Sequence, residues 1–167
     1  MTARSAERTA FEVRPARPSD LARLDALFAR AYPRLLKADY PPSILVTAVP
    51  LLARAQPRLL ASGTYYVAET GEGRLVAAGG WSRRRDGRGE VRHVVTDDRL
   101  VRQGLGRAVL TRVLDAAALS GIDEMRCLST RTAVPFYASL GFEEVGPVDM
   151  PLAPGITFPA VAMRRRM

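Results

Sequence analysis

In "TDDRLVRQGLGRAVL", residues 96 to 110, Gly104 and Gly106 stand where a polar, arginine-rich turn opens into an apolar helical pattern. The first N–H groups of a helix have no intrahelical acceptor, and glycine lets another chain approach them, so such a turn suits an anion. The same pattern also fits an ordinary tight turn. Two more specific phosphate motifs are absent: a P-loop needs a lysine here, and Lys37 is the only one in the chain. A dinucleotide turn needs a third glycine where Val109 stands. The single histidine, His93, is the one side chain whose ordinary pKa suits base work near neutrality. Strand alternation places it on the face opposite Glu90, and a satisfied or surface imidazole is its default reading. The single cysteine, Cys127, sits inside a strand pattern rather than at a helix start, so it reads as core packing and not as a nucleophile. With one of each, neither an internal disulfide nor a zinc pattern is available, and no metal is expected.

The elements around these residues alternate in type. "FEVRPA" reads as a strand and "PSDLARLDALFARAY" as a helix that Ser19 or Asp20 caps. "PPSILVTAVPLLARAQPRLLASG", interrupted by Pro50 and Pro57, reads as one broken helix or two short ones. "TYYVAET", "RLVAAGGWSRR" and "GEVRHVVT" form an antiparallel meander through the turns "GEG" and Asp86-Gly87. A helix follows from Gly104 to Ser120-Gly121, then the strand "DEMRCLST", the short helix "RTAVPFYASLG", the strand "FEEVG", a proline-rich loop and a last strand, "FPAVAMRR". That order implies an α/β domain with a mixed, mostly antiparallel sheet and flanking helices.

The 167 residues suit one domain, with residues 1–10 as a flexible polar leader and 11–167 as the folded unit. No segment approaches the roughly 20 apolar residues of a membrane span, and the expected location is the cytoplasm. Lys and Arg number 25 against 17 Asp and Glu, a formal +8 that is almost all arginine. An anionic partner accounts for this, and so does a G- and C-rich genome that places arginine on solvated faces. The clusters at Arg83–Arg88 and Met163–Arg166 lack interleaved aromatic residues, which disfavours nucleic acid as the partner.

Taken together, "VRHVVTDDRLVRQGLGRAVL" and "FYASLGF" (Phe136 to Phe142) resemble the GCN5-related N-acetyltransferases in order and spacing. The first looks like that family's strand, loop and pyrophosphate turn, [RQ]-x-x-G-x-[GA], and the second like its tyrosine signature. This chain departs from the pattern at Val101, where Arg or Gln is usual, with Arg102 and Gln103 following. It departs again at Thr130, where many members carry asparagine.

The resemblance implies acetyl-CoA as cofactor and an acetyl transfer to a primary amine of a small molecule or peptide, by direct attack in a ternary complex. It implies that the "HVVT" strand is splayed from its neighbour, with the Val94 N–H facing the acetyl carbonyl and Val95 and Thr96 beside the pantetheine. The amides of Arg102, Gln103, Gly104, Leu105, Gly106 and Arg107 would hold the pyrophosphate, and the Thr130 hydroxyl would bond the pantetheine arm. Tyr137 would donate to the leaving thiolate, or is simply a half-buried aromatic. Glu90 would be the base, or is a hairpin glutamate among arginines. The acceptor groove would come from "YPRLLKADYPPSI" and "GPVDMPLAPGITFPA". No membrane partner is expected, and a homodimer is left open. The rival from another class is a basic module of the same fold that contacts nucleic acid, or one that uses CoA only as a regulatory ligand.

Overall fold

The computed structural model describes residues 8–167. Strand β1 (Phe11–Pro15) leads through a 3₁₀ turn at Pro18–Asp20 into α1 (Leu21–Leu36), whose apolar stripe buries Leu24, Leu27, Phe28, Ala31 and Leu36. The Asp20 side chain does not cap α1; it closes the 3₁₀ turn instead. It is buried, bidentate to Arg14 at 2.9 Å, bonded to Arg23 at 2.6 Å, and accepts the Arg17 N–H. Burial pushes the Asp20 carboxyl up, and these donors outweigh it, bringing it down to about 2. The proline-broken stretch forms three short helices rather than one or two: α2 (Pro42–Thr47), α3 (Val49–Leu52) and α4 (Pro57–Leu60). Each has a proline in its first turn, where the missing N–H costs nothing.

The meander is β2 (Tyr65–Thr70), β3 (Leu75–Arg83) and β4 (Gly89–Thr96), followed by α5 (Leu105–Leu119), β5 (Glu124–Ser129), α6 (Val134–Ser139), β6 (Glu143–Ala153) and β7 (Ile156–Arg166). The seven strands form one sheet in the order β1-β2-β3-β4-β5-β7-β6, antiparallel except for β4 against β5. The stretch expected as a short strand plus a proline-rich loop is the single eleven-residue β6. Pro147 and Pro151 are tolerated there because β6 is an edge strand and needs no donor on its open side.

Two apolar layers flank the sheet. α1 to α4 cover one face through Leu24, Phe28, Val49, Leu60, Tyr65 and Phe158, and α5 with α6 covers the other through Val109, Val113, Met125, Tyr137 and Met163. The site lies where the sheet is least regular. β4 and β5 pair only at Gly89–Met125 and Glu90–Arg126, then part. Within β4, the register against β3 jumps between Arg92 and Val95, so that His93 and Val94 together oppose the single residue Gly79.

Candidate active site

The first cavity, about 670 Å³, opens where β4 leaves β5. Val94, Val95 and Thr96 of β4 form one wall, and the turn before α5 closes the end with Arg102, Gly104, Leu105, Gly106 and Arg107. The turn's backbone is specialised. Gly104 has φ +81°, a region glycine enters without strain, and Arg102 has φ +64°, which only a well-held non-glycine residue adopts. α5 makes its first backbone bond from the Ala108 N–H to Gly104 O, so the amides of residues 105 to 107 are the helix's free donors. Left-handed residues beside a helix start aim N–H groups at one point, the geometry of an anion cradle. Thr130 forms the facing wall. Its Oγ1 accepts the Ala133 N–H at 3.1 Å, which leaves its own O–H free to donate into the cavity.

The turn is fixed from behind by Asp97. This buried carboxylate takes Arg30 at 2.6 Å, Arg99 at 3.3 Å and Arg74 at 3.6 Å, and accepts the Arg99 N–H at 3.0 Å. Burial raises its pKa, and the bonds from Arg99 and the charge of Arg30 carry it below the ordinary carboxylate value. Gln103 does not line the cavity. Its Oε1 accepts the Thr9 N–H at 3.0 Å, so its side chain ties down the described end of the expected leader, whose first seven residues lie outside the described ones.

A second cavity, about 220 Å³, adjoins the first and shares Tyr32, Val94, Thr130 and Ala133 with it. Its walls are mostly apolar: Leu51 and Leu52 of α3, Cys127 and Leu128 of β5, and Met150, Leu152 and Phe158 of the β6–β7 hairpin. Glu90, His93 and Tyr137 all reach it. The expectation that His93 faces away from Glu90 is overturned. With φ +50° at His93 the bulge consumes one step of the alternation and turns the imidazole onto Glu90's side, against Phe28 at 4.4 Å and Tyr32 at 5.9 Å between ring centroids. The His93 Nε2–H donates to Leu52 O at 2.8 Å, so Nδ1 carries the lone pair, and among the described residues it is buried without a partner. Burial lowers the imidazole's pKa, partly offset by the Leu52 bond, and keeps the ring neutral at physiological pH. The Tyr65 hydroxyl donates to His93 O at 2.7 Å and pins the bulge.

Tyr137 is buried between the rings of Phe136 and Phe142, and burial holds its phenol well above the ordinary value. Burial also pushes the Cys127 thiol up to about 12, which removes it as a nucleophile. Glu90 lies between Arg92 at 3.5 Å and Arg84 at 3.9 Å.

The family profile of the acetyltransferase (GNAT) domain matches residues 46–158, which hold the whole cradle, both cavities' β4 wall and Tyr137. The chain belongs to the GNAT acetyltransferase family. Among solved structures, a GCN5-related N-acetyltransferase from Rhodopseudomonas palustris is similar over 96% of this chain and 98% of its own, with 16% identity and a TM-score of 0.80. The PaiA N-acetyltransferase from Thermoplasma acidophilum, solved in complex with coenzyme A, matches at 13% identity over 95% and 99%, with a TM-score of 0.70. A GNAT-family acetyltransferase from Staphylococcus aureus matches at 17% identity over 94% and 99%, with a TM-score of 0.69. No curated protein matches the sequence. The GNAT fold, a seven-stranded mixed sheet with flanking helices, is thus the one expected.

Of the residues picked from sequence, Val94, Val95, Thr96, Arg102, Gly104, Leu105, Gly106, Arg107 and Thr130 meet in the larger cavity, and Glu90 and Tyr137 in the smaller. Sequence reasoning missed Leu51, Leu52 and Gln56. The groove was expected from residues 32–44 and 146–160; of the first segment only Tyr32 reaches the smaller cavity, while Met150, Leu152 and Phe158 of the second line it. Leu51 and Leu52 carry no signal beyond an apolar helical pattern. Among the described residues no helix is long and apolar enough to cross a membrane.

Proposed function

We propose that this protein transfers the acetyl group of acetyl-CoA to a primary amine on a small molecule or peptide, with both substrates bound together and the amine attacking directly. The observation that carries this reading is the junction of the two cavities at Val94: one ends in an anion cradle, the other is small, mostly apolar and reached by Tyr137. Acetyl-CoA, the usual cosubstrate of the family, supplies an activated thioester when bound.

The chain's own residues do the rest. Amides from Arg102 to Arg107 hold the pyrophosphate, the Gln103 contribution being backbone only, while Thr96 and Val95 flank the pantetheine and the Thr130 O–H donates to it. The Val94 N–H, on the bulge, stabilises the oxyanion that develops on the acetyl carbonyl. Tyr137 keeps its proton because its phenol is buried, and hands it over only as negative charge collects on the departing sulfur. Apolar walls from Leu52, Met150, Leu152 and Phe158 exclude water and so favour transfer to an amine over hydrolysis. Glu90 takes the amine's proton through a water. A second reading gives that role to His93, because the bulge brings it to the same cavity with an unpartnered Nδ1. Residues 11–167 act as one domain in this scheme, since one sheet runs from Phe11 to Arg166.

Native mass spectrometry of the purified protein tests the donor, with bound CoA or acetyl-CoA as the expected result. Amine-dependent release of the free thiol tests the transfer. Absence of any calorimetric heat with acetyl-CoA would remove the reading altogether.

A further inference from the structure

We infer that the acceptor carries an anionic group, a carboxylate or phosphate, on the side away from its amine, and that Arg92 recognises it. The inference rests on the function proposed above and narrows it to a substrate class. The smaller cavity has two charged lining residues, Glu90 and Arg92, with side chains 22% and 36% exposed, so its charge lies toward solvent while Tyr137 and His93 lie within. From Arg92 a continuous ladder of ion pairs crosses the sheet surface. Arg92 reaches Glu90 at 3.5 Å, Glu90 reaches Arg84 at 3.9 Å, and Arg84 reaches Asp86 at 3.2 Å. Asp86 then takes Arg88 at 3.3 Å, Arg88 reaches Glu124 at 3.4 Å, and Glu124 ends on Arg126 at 2.9 Å. Four guanidinium groups against three carboxylates leave one positive charge in excess. On the adjacent β7, exposed Arg166, in register with Glu124, adds one more, while Arg164, in register with Arg126, faces Glu143 of β6.

Exposed ion pairs of this kind contribute little to stability, so folding does not require the ladder. Its consequence is electrostatic. The mouth of an apolar cavity carries a positive field that concentrates anions and repels polyamines. Arg92 is the member at the cavity. Its planar fork suits a carboxylate or phosphate, and its contact with Glu90 is long and single, so donors remain for a ligand. A molecule with an amine at one end and an anion at the other would then enter amine first, with its apolar middle against Leu52, Met150 and Phe158.

The test compares three amines of one length, 5-aminopentanoate, pentylamine and 1,5-diaminopentane, with 5-aminopentyl phosphate added to separate the two anions. Acetyl transfer is read as kcat/KM and, separately, binding to the CoA-saturated protein is read by calorimetry. The expected result is that the two anionic amines exceed pentylamine by about 10-fold or more and the diamine by more still, through KM. Arg92→Gln should bring the anionic-to-neutral ratio to near one, Arg92→Lys should restore part of it, and Arg126→Gln should lower it by a smaller factor. Whichever anion is better names its source. A wild-type ratio near one, or an equal fall for all amines in Arg92→Gln, overturns the inference while leaving acetyl transfer in place. Arg92-dependent binding of 5-aminopentanoate with no acetylation of any amine would instead retain the anion site and sink the proposed transfer.

Discussion

The two cavities differ in how they are made. The larger takes its donor end from two neighbouring runs, 94–96 and 101–107 without Gln103, with α1 and the Thr130–Ser139 segment as its other walls, and its key contacts are backbone N–H groups whose direction is set by φ at Arg102 and Gly104. The smaller joins the run Glu90–Val94 of β4 to one to three side chains each from α1, α3, β5, α6 and the β6–β7 hairpin, segments far apart in the chain. A backbone-built cradle tolerates changes of side chain and suits a ligand shared by many proteins. A cavity built of scattered side chains can be altered one residue at a time, which suits an acceptor particular to one protein.

The sharpest way to separate the two is Gly106→Glu. A β-carbon at Gly106 would already sit 3.0 Å from Thr96 Oγ1 and 3.3 Å from Phe136, and the added carboxylate would repel phosphate. Acetyl-CoA affinity should fall by more than about 100-fold in calorimetry, with circular dichroism checking that the fold survives. Unchanged affinity would mean that the cradle holds something else.

On the acceptor side, Glu90→Gln should lower kcat/KM by at least about 10²-fold across the pH profile, with His93→Gln costing only a few-fold. The reverse order would assign the base to His93. In that case the acidic limb should lie below the ordinary imidazole value, because burial depresses the pKa and the ring turns neutral, and so competent, at lower pH. Glu90→Gln also removes one negative charge from the ion-pair ladder, so KM for an anionic acceptor should fall even as kcat does. Tyr137→Phe should cost roughly 10² in kcat with little change in acetyl-CoA affinity. If turnover held under chemistry-limited conditions, Tyr137 would be a packing residue between Phe136 and Phe142.

The smallest expected effect reaches the donor cavity from behind. Asp97→Asn leaves Arg74 and Arg99 without their carboxylate and Arg30 with Asp98 alone, and should raise KM for acetyl-CoA by about 10-fold, with kcat little changed. A loss of kcat instead would place Asp97 with the acceptor machinery. Asp97 also has a sign in acid. Its folded pKa is depressed, so the stability it contributes is present above the ordinary carboxylate range and disappears as pH falls through the lowered value. Thermal melts of wild type and Asp97→Asn should therefore differ most near neutrality and converge in acid.

The contrast between the cavities is also what made one legible from sequence and the other not. Gly104 and Gly106 before an apolar helical period are local signals, and so are the alternating runs of the meander and the glycine turns between them. The bulge at His93 is not local: it depends on Gly79 of the neighbouring strand and on the Tyr65 hydroxyl. Regular alternation therefore put His93 on the wrong face. Pro147 and Pro151 misled in the opposite sense, because proline argues against a strand unless its edge position is known. Leu51, Leu52 and Gln56 reach the cavity only because three prolines fold their segment into short helices that return over the sheet.

The two-residue pairing of β4 with β5 also bears on how the molecule comes apart. A side chain at position 89 would run into Met125 and Ile122, so even this short contact exists only because Gly89 has none. β1–β4 and β5–β7 are therefore two parts of one sheet joined by a narrow seam, and sub-global opening should begin along it. Amides on the β5 side facing β4 should exchange earlier than those between β2 and β3. A ligand lying in the gap touches both sides at once and acts as mortar, so saturation with CoA should slow exchange across the seam more than anywhere else in the protein.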